Sequence, residues 1–307
     1  MQVINSIYEK ITDDTVVCIG NFDGMHLVHK QIISNVVNNA KENSCKSMVI
    51  TFKQHPLYII NPNSAPKLLM TLEEKMELIK SMGVDYLVLY DFLEVKDFLH
   101  DAFIDCLVKN YNMKKIICGF NFKFGYKNKG NVYNLREMSK QYGYDVEVFD
   151  PVKLLNKKIS STKIRTYIKY GELEKANKLL GRLFSISGVV VKGKQLGRKI
   201  GFPTANIEYN SFHCIPQNGV YATITEYKGK RFPSMTNIGY NPTFKNKYIS
   251  IETHILDYSN DLYGETISIN FVKKLRNEIF FSDVYSLIEQ LIIDKNNTHI
   301  ITKKYLK

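Results

Sequence analysis

The chain has 307 residues, a formal net charge of +12 and five scattered cysteines. That length suits two hydrophobic cores better than one. The apolar runs are too short to span a bilayer, the opening MQVINSIYEKITDD lacks a signal-like pattern, and no cysteine pair has zinc spacing. A cytoplasmic protein with reduced thiols, no structural zinc and no membrane association is the expectation. The positive excess is spread evenly over residues 1–182 and 183–307. A nucleic-acid binder concentrates its charge, so no nucleic-acid partner is expected, although an anionic small substrate would be drawn to such a surface.

In chain order, the first 150 residues alternate two periods. Strand-like runs fall at 15–20 (TVVCIG), 47–52 (SMVITF), 85–90 (DYLVLY), 115–119 (KIICG) and 145–149 (DVEVF). Helical spacing fills 26–42, 71–82, 97–111 and 131–142. This alternation predicts βαβ units and a mostly parallel sheet, covered on both faces because its strands are apolar at successive positions. Residues 159–181 (ISSTKIRTYIKYGELEKANKLLG) read as two short helices separated by Gly171, with Ser160, Ser161 and Thr162 as candidate caps and Gly181 as a stop. After Gly181 the texture changes to LFSISGVVV, GVYATITEY, RFPSMTNIG, YISIETHILD and YGETISINFV, with a tight hairpin at Gly229. One helix follows, over 282–297. That pattern predicts a small antiparallel barrel with a closing helix, and a boundary near 182–185.

Three motifs of the first part carry chemistry. GNFDGMHLVHK (20–30) leads from strand to helix, a junction that offers backbone N–H groups and a positive dipole end to an anion. His26 and His29 would share one side of the first turn. Asn121 lies in GFNFKFG (119–125), which follows a strand, and ISSTKIR (159–165) opens a helix. In this order, and with TFKQHP (51–56), these stretches resemble the adenylyltransferase domain of the bacterial bifunctional riboflavin kinase/FAD synthetase family, a Rossmann-like nucleotidyltransferase fold. The resemblance implies attack by the phosphate of FMN on the α-phosphorus of ATP, giving FAD and pyrophosphate. His26 and His29 would hold the α-phosphate. Arg165, Ser161 and Thr162 would hold the leaving phosphates. Gly20, Phe22 and Asp23 would shape the nucleotide site, and Asn121 would contact flavin phosphate or nucleotide. The family has glycine between the histidines, where this chain has Val28.

GKQLGRKIGFPTANIEY (193–209) resembles that family's riboflavin kinase signature, G-R-x-x-G-x-P-T-A-N. NIGYNPTF (237–244), ETHILD (252–257) and DLYGETISINFVKKLR (261–276) follow as they do in the family. The resemblance implies phosphorylation of riboflavin by ATP, and a neutral hydroxyl nucleophile needs a base. Glu252 is carried over as that base, and apolar Ile251 and Ile255 predict partial burial and a raised pKa. Thr204 and Asn206 would hold Mg2+ beside the ATP phosphates, as hard oxygen ligands. Gly193, Gly197 and Gly201 would let backbone approach phosphate, and Arg276 lies in the region resembling the flavin cover.

The expectation is therefore an FMN adenylyltransferase domain over 1–182 and a riboflavin kinase domain over 183–307, using riboflavin, FMN, FAD and Mg-ATP. Two alternatives stand beside it. One is a riboflavin kinase whose adenylyltransferase half is impaired by Val28, and the other is a flavin-sensing regulator without catalysis. The oligomeric state is left open.

Overall fold

The computed structural model describes residues 1–150, 153–154, 157–240 and 249–306. Two compact units emerge. One comprises Met1–Pro66 and Thr71–Ser160, the other Lys67–Met70 and Ser161–Lys307.

The first unit is a six-stranded parallel sheet. Its strands are β1 (Gln2–Ile4), β2 (Thr15–Ile19), β3 (Lys46–Phe52), β4 (Tyr86–Tyr90), β5 (Met113–Gly119) and β6 (Asp145–Phe149). Their order is β1-β4-β3-β2-β5-β6. The longer helices that connect them are α1 (Leu27–Glu42), α2 (Leu72–Ser81), α3 (His100–Tyr111) and α4 (Val132–Tyr142). Each expected strand and helix of this part is present within a few residues. The edge strand β1 was not anticipated, because three residues carry too little pattern. Every residue of β2 is buried, as its central place with helices on both faces requires. The chain runs from β2 outward to β3 and β4, then returns to β5 on the other side. Such a reversal opens a crevice beyond the carboxyl ends of β2 and β5, where ligands of open α/β sheets bind.

The second unit begins in space at Ser161, whereas the sequence placed the boundary at 182–185. The helices α5 (Ser161–Lys169) and α6 (Leu173–Leu180) belong to it. Asn177 explains why: its amide donates to the Phe271 carbonyl at 2.9 Å, and its carbonyl oxygen accepts from the Phe184 N–H at 2.7 Å. Lys67–Met70 joins the same unit through backbone bonds, Leu68 N–H to the Phe212 carbonyl (2.8 Å) and Cys214 N–H to the Leu68 carbonyl (2.7 Å).

The barrel itself has six strands: β7 (Phe184–Val191), β8 (Ala205–Tyr209), β9 (Gly219–Tyr227), β10 (Lys230–Tyr240), β11 (Ile249–Ile255) and β12 (Thr266–Arg276). It closes in the order β7-β8-β11-β10-β9-β12, with antiparallel pairs throughout. Five were foreseen. β8 was not, because its first residues, Ala205 and Asn206, belong to the PTAN motif. Lys228 and Gly229 are both left-handed (φ 47° and 74°), the geometry of the tight hairpin expected at Gly229. Buried hydroxyls of Thr223, Thr225, Ser234, Thr236 and Thr253 bond one another across β9, β10 and β11.

The closing helix α7 (Val284–Thr302) runs past Asn297, the expected end. It buries a polar stripe, Asp294, Thr298 and Thr302, at successive i, i+4 positions, and leaves Ile292, Ile293 and Ile300 exposed. Asp294 receives Arg276 Nε at 2.9 Å, with side-chain exposures of 3% and 15%. Removing one member of a buried ion pair strands the other. Asp294→Ala should therefore destabilise this unit by about 3 kcal/mol in urea unfolding, and Asp294→Leu combined with Arg276→Met should recover most of the loss.

Candidate active sites

The first site is built around the Gly20–Met25 turn that follows β2. Gly20 N–H bonds the Ile50 carbonyl of β3 at 3.1 Å, holding the turn against the sheet. Phe22 (φ 47°), Gly24 (φ 78°) and Met25 (φ 39°) are left-handed, so two non-glycine residues carry backbone strain of about 1 kcal/mol each. Both of those side chains are buried, as is Asp23. The turn ends at His26, which caps α1 by accepting the His29 N–H on Nδ1 at 3.4 Å. The remaining ring nitrogen, Nε2, is then the N–H donor of a neutral His26.

The imidazole of His29 stacks on that of His26, with centroids 3.6 Å apart, and meets the Phe22 ring edge-on at 5.3 Å. Burial pulls His26 down to about 4. Burial, then the fields of His26 and Lys75, hold His29 well below the ordinary histidine range. Near neutral pH both rings are neutral hydrogen-bonding groups rather than cations. His29 Nδ1 is buried without a hydrogen-bond partner among the described residues, a position that asks for a ligand atom or water. Val28 sits within α1 and has no left-handed backbone, so the fold does not require glycine there.

Asn121 is exposed just beyond β5, in a turn closed by Phe122 N–H on the Gly119 carbonyl at 3.0 Å. It therefore stands at the carboxyl end of the strand next to β2, as do His26 and His29 beyond β2 itself. Ser161, Thr162 and Arg165 belong to α5 in the second unit. Arg165 Nε donates to the Lys67 carbonyl at 2.7 Å, within that unit.

Lys75 was not singled out from the sequence. It points inward from α2 beside Ile79, and its ammonium donates to the Asn21 carbonyl (3.2 Å), Thr51 Oγ1 (3.0 Å) and the Phe52 carbonyl (3.3 Å). The available signal was a lysine one turn before a core isoleucine on an amphipathic helix.

The second site lies on neighbouring strands of the barrel. Pairing of β8 with β11 sets Asn206 opposite Glu252 and Ala205 opposite Thr253. Thr204 Oγ1 donates to Glu252 Oε2 at 3.4 Å. Burial raises the Glu252 pKa, offset in part by the Thr204 hydrogen bond and the field of Lys194. His254, two residues on and absent from the sequence reading, holds the Pro203 carbonyl through Nδ1 at 2.6 Å and lies 5.3 Å from the Phe202 ring.

Each of the three glycines has its own reason. A Cβ on Gly193 would stand 2.2 Å from Asn206 Nδ2, and one on Gly197 would stand 2.2 Å from the Phe202 carbonyl oxygen. Gly201 is left-handed, at φ 81°. The first two thus make room for the chain itself. Arg276 is engaged by Asp294 and by the Asn277 carbonyl. Residues 241–244, the NPTF of NIGYNPTF, lie outside the described residues.

No cluster of three or more His, Cys, Asp or Glu side chains that could hold a metal occurs among the described residues. Thr204 and Asn206 offer only hard oxygen donors beside one carboxylate. That set suits Mg2+, which keeps few protein ligands and takes the rest from phosphates and water.

Comparison with known proteins covers both units. The sequence profile of FAD synthetase matches residues 8–163, and that of riboflavin kinase matches 180–302. A bifunctional riboflavin kinase/FMN adenylyltransferase of Buchnera aphidicola (from Schizaphis graminum) is 39% identical over 99% of each chain. Proteins with the same description are 36% identical in Bacillus subtilis, over 92% of this chain and 90% of the relative, and 33% identical in Escherichia coli K12, over 95% and 94%. A crystal structure described as a macrolide-efflux protein from Streptococcus pneumoniae is 30% identical, with a TM-score of 0.88 over 97% of this chain and 98% of that one. Among the described residues of this chain, no helix is long and apolar enough to cross a membrane.

The tight approach at Gly193 generates a test. Gly193→Ala must displace Asn206 or the loop, and overpacking of that kind costs about 1–3 kcal/mol. Urea unfolding should show the loss, whereas Gly201→Asn, at a left-handed position with open space, should cost less.

Proposed function

We propose how this chain, which belongs to the bifunctional riboflavin kinase/FMN adenylyltransferase family, divides the two reactions from riboflavin to FAD between its own residues. Riboflavin and ATP give FMN and ADP in the barrel unit. FMN and ATP give FAD and pyrophosphate with the N-terminal unit. The observation that carries this division is the contrast between the two sites, a carboxylate bonded by the Thr204 hydroxyl on neighbouring barrel strands in one and two stacked imidazoles at the N-terminus of α1 in the other.

In the barrel the nucleophile is the neutral 5′-hydroxyl of the ribityl chain. Glu252 takes its proton as the oxygen attacks the γ-phosphorus of ATP. Partial burial, which raises the Glu252 pKa, makes it a stronger base than an exposed glutamate. The Thr204 hydroxyl orients the carboxylate, and His254 fixes the loop that carries Thr204. Mg2+, when bound, neutralises phosphate charge, and Thr204 Oγ1 and the Asn206 side-chain oxygen would hold it.

In the N-terminal unit the nucleophile is already an anion, the phosphate of FMN. No general base is needed, and catalysis consists of positioning and charge stabilisation. His26 Nε2–H and His29 donate to oxygens on the α-phosphorus at the N-terminus of α1. Arg165, with Ser161 and Thr162, holds the β- and γ-phosphates that depart as pyrophosphate, and Asn121 contacts flavin phosphate or nucleotide. The proposed functional boundary remains 182/183. A cytoplasmic setting accords with five free cysteines.

Each half has a separating experiment. Glu252→Gln should lower FMN formation at least a hundredfold while FAD formation from supplied FMN stays within twofold. His29→Ala should do the reverse. The reverse assignment of losses, or no loss, overturns these roles. The base must be deprotonated to act, so FMN formation should fall as pH drops through a midpoint above the ordinary glutamate value of 4.5. Val28→Gly should leave the FAD rate unchanged and weaken α1 by about 0.5–1 kcal/mol, because glycine costs backbone entropy in a helix. A several-fold faster rate would instead show that the valine crowds the nucleotide.

A further inference from the structure

Lys75 is a charge that none of the motifs accounts for. Only 8% of the residue is exposed, and its three hydrogen-bond partners are all neutral oxygens. Burying an ammonium without a carboxylate at hydrogen-bond distance is costly, and methionine would fill the same space without that cost. The partners are not arbitrary. Asn21 lies in the turn that leads to His26, while Thr51 and Phe52 end β3 and begin TFKQHP. Thr51 Oγ1 also donates to the Asn21 carbonyl, at 3.3 Å. The ammonium therefore ties together the ends of two adjacent strands where the turn leaves the sheet.

That turn needs such a tie. Phe22 and Met25 are both held in left-handed backbone, a conformation that persists only where the surroundings enforce it. The imidazoles that follow are placed by the same turn.

We propose that Lys75 is a positioning residue for adenylyl transfer, an ammonium that locks the Gly20–Met25 turn to the end of β3 and so fixes His26 and His29 for the α-phosphate. The proposal rests on the reading of those histidines as phosphate-holding groups. Two groups share its electrostatic environment. Asp23, from the turn, favours its protonated form, and His29, on α1, is kept neutral partly by its field. Burial lowers the Lys75 pKa to about 8 despite Asp23. As pH rises through that value the ammonium loses its charge and one of its three N–H donors, leaving two for three acceptors, and its hold on the turn weakens. His29 titrates far below this range and does not contribute to the same limb.

The test uses the full chain and compares its two reactions. In the wild type, FAD formation from FMN should fall on the alkaline side with a midpoint near 8, and FMN formation from riboflavin should lack that limb. Lys75→Arg keeps a charge that does not titrate in this range, so the limb should vanish. Lys75→Met should lower kcat for FAD formation at least tenfold and leave FMN formation within twofold. FAD formation within twofold of wild type in Lys75→Met overturns the proposal. So does an alkaline limb that is missing in the wild type or survives in Lys75→Arg. Because the wild-type profile needs no substitution, failure of Lys75→Met to fold leaves the proposal decidable. His29→Ala, measured alongside, separates the two ideas. If it abolishes FAD formation while Lys75→Met does not, the histidine reading stands and the lysine proposal fails. If His29→Ala retains FAD formation, the histidine reading fails and takes the lysine proposal with it.

Discussion

The parallel pairing of β2 between β3 and β5 is the constraint on which the N-terminal site depends. A strand buried at every residue cannot shift register without exposing apolar surface or breaking two ladders. Its carboxyl end is therefore a fixed point, and so are the ends of its neighbours. GNFDG leaves from one, TFKQHP from the second and GFNF from the third. The three stretches are far apart in sequence, and the sheet brings their starting points side by side. Reversal of strand order at β2 keeps the space beyond these ends from being covered by a crossover helix.

The barrel reaches its site by a different route. Antiparallel neighbours put residues directly opposite one another, and the β8–β11 pair places Asn206 against Glu252. Alternation along β11 then sends Glu252 and His254 to one face and Ile251, Thr253 and Ile255 to the other. The buried face packs the barrel. The opposite face carries the Glu252 carboxylate and a histidine that anchors the Pro203 carbonyl. Register alone thus joins packing to chemistry over five residues.

Electrostatics follows from these placements. The same force, desolvation, lowers the affinity of two histidines for protons and raises that of Glu252. In the first site it leaves neutral imidazoles, the form of the donors in the proposed reaction of an anionic nucleophile. In the second it makes a carboxylate more basic, as the proposed base for a neutral nucleophile would be. Arg276 marks the opposite use of charge. The resemblance associates it with the flavin cover, yet its guanidinium is occupied in holding β12 to α7 through Asp294.

The fold of the first unit was legible because its helices and covered strands have long, distinct periods. His26, His29, Glu252 and PTAN stand out in the sequence as candidates because motif spacing survives in one dimension. β8 escaped notice because its five residues overlap a motif rich in loop formers, and α7 hides its contact face because that face is polar. The sequence by itself determined most of the elements and which side chains are candidates for chemistry, since both depend on local periodicity and spacing. Only the tertiary structure decided that α5 and α6 pack with the barrel, that Lys75 bonds the ends of β2 and β3 and His254 the Pro203 carbonyl, and that Val28 meets an ordinary helical backbone. These are matters of contact between distant segments and of local solvent exclusion, and neither leaves a periodic trace in the chain.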